Sequence, residues 1–276
     1  MKVKFWGVRG SIPTPWAEAM EVGGNTSCVE VVSKSNDFII LDAGTGIRML
    51  AKGRLANNEH QNQRIHVLLS HTHWDHIQGI PFFSLLSYPG NHITFYGADK
   101  PNRTFESVIR EQMKPAYFPI ALDQAAAQVD FVTLSGQDIQ IGSLNIQTAR
   151  FNHPGGVLGF RLTEDDQTLV YATDMEYTTG SLTEDLKAFV SGADALIFDA
   201  QYTPEEYNIK SGWGHSHYEV ATHLARLAQV KKLYLFSHDP DHSDQILADI
   251  EQKSRQLFPE TYLAKERDSF FLPQTP

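Results

Sequence analysis

Cysteine is nearly absent: Cys28 is the only one in 276 residues. No disulfide framework can form within the chain, and a reducing compartment fits. Cys28 lies in the apolar stretch SCVEVV with no base nearby in sequence, which reads as a small buried strand residue and not as a nucleophilic thiol. Long apolar runs are missing as well, since nothing approaches the ~18 residues of a membrane helix. The opening MKVKFWGVRG has neither the apolar core nor the small-residue cleavage site of a secretion signal. A cytoplasmic protein with no membrane partner is expected. Positive charge is in deficit: 23 Lys+Arg against 33 Asp+Glu leave −10 with histidine neutral. A chain this acidic does not draw its main affinity from neutralising many phosphates, which argues against structured nucleic acid as partner. Low-complexity linkers, charge blocks and internal repeats are also lacking, so residues 1–276 read as one domain.

What is present is a long series of short β-branched runs bounded by Gly, Asp, Asn or Ser. They are KVKFWG, CVEVVS, FIILDA, RIHVLLS, HITFYG, QVDFVTL, LNIQTARF, VLGFRL, TLVYATD, DALIFDA and KLYLFS. Helical spacing appears in GIRMLAKGRL, PNRTFESVIREQM, TEDLKAFV, SHYEVATHLARLAQV and SDQILADIEQKSRQLF. The pattern predicts an α/β chain of two sheets packed face to face with helices outside. Residues 100–128 read as a surface insertion, helical and then irregular, because MKPAYFPIALDQ breaks at two prolines. Within it, residues 110–125 are expected to act as a mobile cover.

Histidine is concentrated where most residue types are sparse. HTHWDH, residues 71–76, follows the buried run RIHVLLS and precedes IQGIPFFSLL, which reads as the start of a helix. The cluster thus sits at the end of a strand, where α/β proteins assemble sites. In a tight turn His71 and His73 can converge on one point, and Asp75 with His76 on a second. Imidazole and carboxylate together suit borderline divalent metals such as zinc. His153 in ARFNHPGG, Asp174 in VYATDMEY and His238 in LYLFSHDPDH each follow an apolar run in the same way. Any one of them alone is an ordinary loop residue; together with the cluster they make a ligand set.

HxHxDH followed by separated His, Asp and His resembles the metallo-β-lactamase superfamily, and the likeness covers nearly the whole chain. It implies an αβ/βα sandwich with a dinuclear metal site at one edge. By that resemblance His71, His73 and His153 hold one ion, Asp75, His76 and His238 hold another, and Asp174 bridges them. Two divalent ions per chain are implied, zinc first and manganese as the alternative. GVRGSIPTPWAEAMEVGGNTSCVEV, FIILDAGTGIRML, NHPGGVLGFRL and GWGHSHYEVATHLA are similar to segments of the branch of tRNase Z-like and cyclic-phosphate phosphodiesterases. The last of these carries that branch's non-ligand catalytic histidine, which falls on His215, with His217 as competitor and Ser216 as cap of the following helix. Between Asp174 and His215 there is no long Gly/Pro-rich arm of the kind that grips tRNA, only strand, helix and a short PEEYNIKSGWG loop.

The resemblance therefore implies a phosphodiesterase acting on a small cyclic nucleotide or cyclic ribose phosphate through a metal-bridging hydroxide, with Asp75 and His215 as catalytic residues. Hydrolysis of a carboxylic ester, thioester or lactone is the alternative, since the same metals polarise a carbonyl. A tRNA 3′-processing endonuclease and a metal-binding non-enzyme rank behind it, and a homodimer is compatible with all of these. The glycines of DAGTG suit phosphate binding or close packing equally, and Asp42 suits a hydrogen bond to a ligand histidine. Trp74, between two ligands, is the best candidate for stacking a base, although packing explains most aromatics singly.

Overall fold

The computed structural model describes residues 1–272. Two seven-stranded sheets form its framework. Chain order gives β1 (Lys2–Gly7), β2 (Cys28–Val32), β3 (Phe38–Leu41), β4 (Arg64–Leu68), β5 (His92–Gly97) and β6 (Gln128–Thr133), which lie side by side in the first sheet. The second sheet takes β7 (Ile139–Ile141), β8 (Leu144–Phe151), β9 (Val157–Glu164), β10 (Gln167–Ala172), β11 (Ala195–Asp199), β12 (Leu233–Phe236) and β13 (Thr261–Leu263). β14 (Ser269–Phe271) returns to pair with β1, antiparallel, at the edge of the first sheet. All eleven strand-like runs of the sequence form strands. The three that escaped notice, β7, β13 and β14, are only three residues long, too short to show a period.

Side-chain alternation builds the layers. In β3, Ile39 and Leu41 face the second sheet and join a core with Val3, Phe5, Phe160, Tyr171, Phe198 and Phe236. Their neighbours Phe38 and Ile40 face the other way and pack with Val67, Phe95, Ile47, Leu50 and Phe105. Burying such a side chain stabilises by roughly 1.5–3 kcal/mol. A one-residue slip of β3 would exchange the two sets, so its register is strongly fixed. The helices covering these faces are α1 (Gly46–Ala56), α2 (Trp74–Ile77), α3 (Phe105–Glu111), α4 (Glu184–Val190), α5 (Pro204–Lys210), α6 (Tyr218–Leu227) and α7 (Asp244–Leu257).

β3 to β6 run parallel, as do β10 to β13. Parallel strands bring their C-terminal ends to a common edge, where loops form sites. The helix expected from residue 77 onward is not there. Instead, α2 lies inside the histidine cluster, and two 3-10 turns, Ile80–Phe82 and Ser84–Ser87, follow it. Gly79 and Pro81 explain the difference. Gly79 packs against the Gly44 carbonyl so closely that a Cβ would lie 2.0 Å from it. Pro81, lacking an N–H, limits the next turn. Asp75 and His76 are therefore helix residues with fixed directions. Residues 100–128 are helical then irregular as read, and Phe105, Ile109, Met113 and Leu122 are buried in the core under the first sheet.

Candidate metal centre

Asp42 organises the centre from beneath. It follows β3 with φ 59°, a left-handed bend that aspartate tolerates better than most residues. Its carboxylate accepts from the Ser70 N–H (2.7 Å), the Ser70 hydroxyl (2.8 Å) and the Tyr171 hydroxyl of the opposite sheet (2.7 Å). It also meets His76 Nδ1 at 2.7 Å, which turns Nε2 of that ring toward the cleft. Gly44, two residues on, is required by packing: a Cβ there would lie 2.2 Å from the Asp75 carbonyl. Of the two readings left open for DAGTG, close packing is the one with a visible cause.

Three groupings of donor atoms follow, each within 4.8 Å: His71, His73 and His153; His71, His76 and Asp174; Asp174, Asp199 and His215. His71 belongs to two of them, with ring centroids 4.4 Å from His73, 4.3 Å from His76 and 4.6 Å from His153. Asp174, like Asp42, sits on a left-handed bend after its strand, φ 54°. Its Oδ2 lies 3.1 Å from His76 Nε2 and 3.8 Å from His71 Nε2. Asp75 Oδ2 is 3.2 Å from His76 Nε2 and accepts from the Ser11 N–H at 2.8 Å. His153 is aimed by its Nδ1, which donates to the Gly214 carbonyl at 2.8 Å.

His238 stands outside these groupings. Its Nε2 donates to the Ala264 carbonyl (2.9 Å), leaving Nδ1 as the ring nitrogen available to an ion. Its backbone is clamped by residues 8–10: His238 N–H donates to Val8 O, and Gly10 N–H to His238 O, each at 3.0 Å. The fully buried Arg9 guanidinium holds the Asp239 and His242 carbonyls at 3.1 and 2.7 Å. Of the seven expected ligands, six are thus brought together and the seventh flanks them.

The donors fit a cation. His71 Nε2 is buried with no hydrogen-bond partner among the described residues, although an imidazole nitrogen so placed costs free energy. His153 Nε2 and His73 Nδ1 lie 3.0 Å apart. His153 already donates through its other nitrogen, so an ion between these atoms satisfies both lone pairs. Burial pushes His73 down to about 4 and holds His71 and His153 below the usual range, which keeps them in the neutral, ligating form. Burial and then Arg9 take His238 to about 3. His76 moves the other way: burial opposes its charge, but Asp174, Asp75 and Asp42 outweigh that and raise it. The same carboxylates would attract a divalent ion in place of the proton.

Beside Asp174, His215 Nδ1 meets Asp199 Oδ2 at 2.7 Å, and Asp199 Oδ1 accepts from the Ser216 N–H at 3.0 Å. Burial opposes a charged His215, yet Asp199 and Asp174 prevail and raise it to about 9. An imidazole that favours its protonated form thus stands next to a carboxylate of the candidate ligand set. The expectation that Ser216 caps the next helix is corrected. The cap position is His217, and the Ser216 hydroxyl instead contacts the Met175 carbonyl and accepts from the Tyr177 N–H at 3.0 Å, bracing the loop after β10. Asp199 was missed in the sequence. Its signal was there: LIFDA ends a buried strand in aspartate as FIILDA does at Asp42.

A family model described as "Beta-lactamase superfamily domain" matches residues 38–238. A ribonuclease Z of Lactobacillus gasseri is 22% identical over 322 aligned positions, covering 98% of each chain. Among solved structures, the metallo-beta-lactamase fold protein YhfI of Bacillus subtilis superposes with a TM-score of 0.73 at 20% identity, covering 98% of both chains. A diphosphatase from the PhnP family gives 0.71 at 18% identity, covering 98% of this chain and 96% of that one.

Proposed function

Because the chain belongs to the beta-lactamase superfamily and is a metal-dependent hydrolase, we propose that it is a phosphodiesterase acting on a small cyclic nucleotide or cyclic ribose phosphate. His71, His73 and His153 would hold one divalent ion, Asp75, His76 and His238 a second, with Asp174 shared. Five imidazoles and two carboxylates suit zinc, with manganese the alternative. Bound ions would supply Lewis acidity toward water and toward the phosphoryl oxygens.

The observation that carries the phosphodiester reading is the His215–Asp199 pair, 2.7 Å between Nδ1 and Oδ2, beside Asp174. Phosphodiester cleavage expels an alkoxide, which leaves poorly unless it is protonated. Asp199 fixes the ring by Nδ1 and stabilises its charge, so Nε2 delivers the proton to the departing oxygen. Asp75, tethered at Oδ2 by the Ser11 N–H, would orient the attacking water. A chelator-sensitive assay with bis-p-nitrophenyl phosphate beside p-nitrophenyl acetate tests the reading. Preference for the acetate would move the protein to the carboxylic-ester alternative.

A second reading, cleavage at the 3′ end of precursor tRNA, is favoured by the likeness to ribonuclease Z along nearly the whole chain. The net charge of −10 and the short segment between Asp174 and His215 weigh against it. Release of 3′ trailers from precursor tRNA would establish that second reading instead.

A further inference from the structure

Next to the centre lies a groove of ≈ 530 Å³ lined by Thr72, Trp74, Phe82, Arg103, Tyr117 and Phe118, among others. That volume falls within the roughly 300–1,000 Å³ of small-molecule sites. Thr72 and Trp74 alternate with His71, His73 and Asp75, so groove and centre share one stretch of backbone. We propose that this groove stacks the nucleobase of the substrate, so that the phosphodiester cleaved is a nucleotide and not a bare sugar phosphate. The inference rests on the phosphodiesterase reading and decides between the two substrates it leaves open.

Three observations support it. Trp74 is 78% exposed, Tyr117 70% and Phe82 58%, so large rings stand in solvent around one cavity. Phe82 is steadied by Phe118, edge to face with centroids 5.5 Å apart. The rings of Trp74 and Tyr117 have no ring partner among the described residues, and such flat π faces accept a planar aromatic group and offer little to a ribose. Second, Gln112 also lines the groove, and its Nε2 is buried without a partner among the described residues. An amide donor at the wall of an aromatic slot matches the acceptors on a base edge. Third, Arg103 is paired with Glu111, so among the described residues lining this wall no unpaired cation is left to hold a second phosphate.

Equilibrium binding of adenosine 5′-monophosphate and ribose 5-phosphate to the metal-loaded protein provides the test, read by tryptophan fluorescence and by calorimetry. The nucleotide should bind about 10-fold or more tightly. Its quenching should vanish in Trp74→Phe, and Tyr117→Ala or Phe82→Ala should bring the affinity ratio toward one with metal content retained. Equal affinity of the two ligands in the wild type overturns the proposal. So does an unchanged ratio in all three variants. Hydrolysis of adenosine 2′,3′-cyclic phosphate and ribose 1,2-cyclic phosphate is measured alongside. Nucleotide preference with neither compound cleaved would retain the base site and reject the phosphodiesterase reading, so the two failures are separable.

Discussion

Asp42 and Asp199 each end a buried strand and each grip one ring by Nδ1, yet they set opposite roles. Asp42 turns His76 toward the cluster of candidate donors, whereas Asp199 favours a proton on His215. His215→Ala should lower turnover ~10²-fold or more while metal content holds. The loss should shrink for p-nitrophenol leaving groups, which depart without protonation; equal losses for acidic and basic leaving groups would remove the acid role. Asp199→Asn should shift the alkaline limb of the rate profile to lower pH, since Asp199 is the largest influence raising His215. A limb that stays in place would mean Asp199 only packs. His71→Ala and Asp174→Ala should each reduce bound metal as read by elemental analysis, with Asp174 the larger effect if it bridges. The proposed ligands were legible as candidates because each follows an apolar run. Asp199 was not singled out, because an aspartate ending a strand is common and only its distance to His215 gives it a role.

Elements of the site differ in how openly the sequence announces them. α5 reads as loop in the sequence because PEEYNIK has no apolar stripe, and in the fold none of its residues is buried. Its signal lay in the capping box: Thr203 accepts from the Glu206 N–H while Glu206 accepts from the Thr203 N–H, with Pro204 in the first turn. The loop after α5 then supplies Gly214, with φ 99°, where a Cβ would lie 2.5 Å from the His153 ring. Gly214→Ala should therefore lower metal content and destabilise by roughly 1–3 kcal/mol. Normal loading of that variant would show that His153 tolerates displacement. In the segment 110–125, Met113 and Leu122 are buried while Tyr117 stands out. Exchanging residues 116–120 for Gly and Ser should thus raise the Michaelis constant without loss of metal; loss of metal would make the segment structural support.

At the scale of the whole molecule, the histidines make stability depend on pH from both sides once metal is stripped. His238, folded value about 3, contributes stability present above ~6.5 and lost as pH falls toward 3. At pH 5 that loss is about 2 kcal/mol from this group. His215, raised to about 9, contributes stability present below ~6.5 and lost as pH rises through 9. The unfolding midpoint of chelated protein should therefore peak near ~6.5; a midpoint still rising from ~6.5 to ~9 would contradict the His215 assignment, and one that does not fall between ~6.5 and ~5 the His238 assignment. Binding to tRNA should be weak, and a tight complex with a steep salt slope would contradict the acidic surface. No helix among the described residues is long and apolar enough to cross a membrane. The two-sheet architecture was legible from strand composition; strand order was not, because parallel pairing depends on contacts between residues far apart in the chain.

The proposed donors come from both sheets: His71, His73, Asp75 and His76 follow β4, whereas His153, Asp174 and His238 follow β8, β10 and β12. Ions held by them would form a clasp fastened along one rim of the sandwich. Opening that rim would then require breaking coordination bonds, while the opposite rim is tied only by hydrogen bonds and ion pairs such as those of Lys34 with Glu164 and Asp165. With the clasp removed, the two layers become free to hinge about their packed interior, like a book held only by its spine. Amide exchange should quicken at Ser70, Asn152, Thr173 and Ser237 long before it does in the middle of β3 or β11.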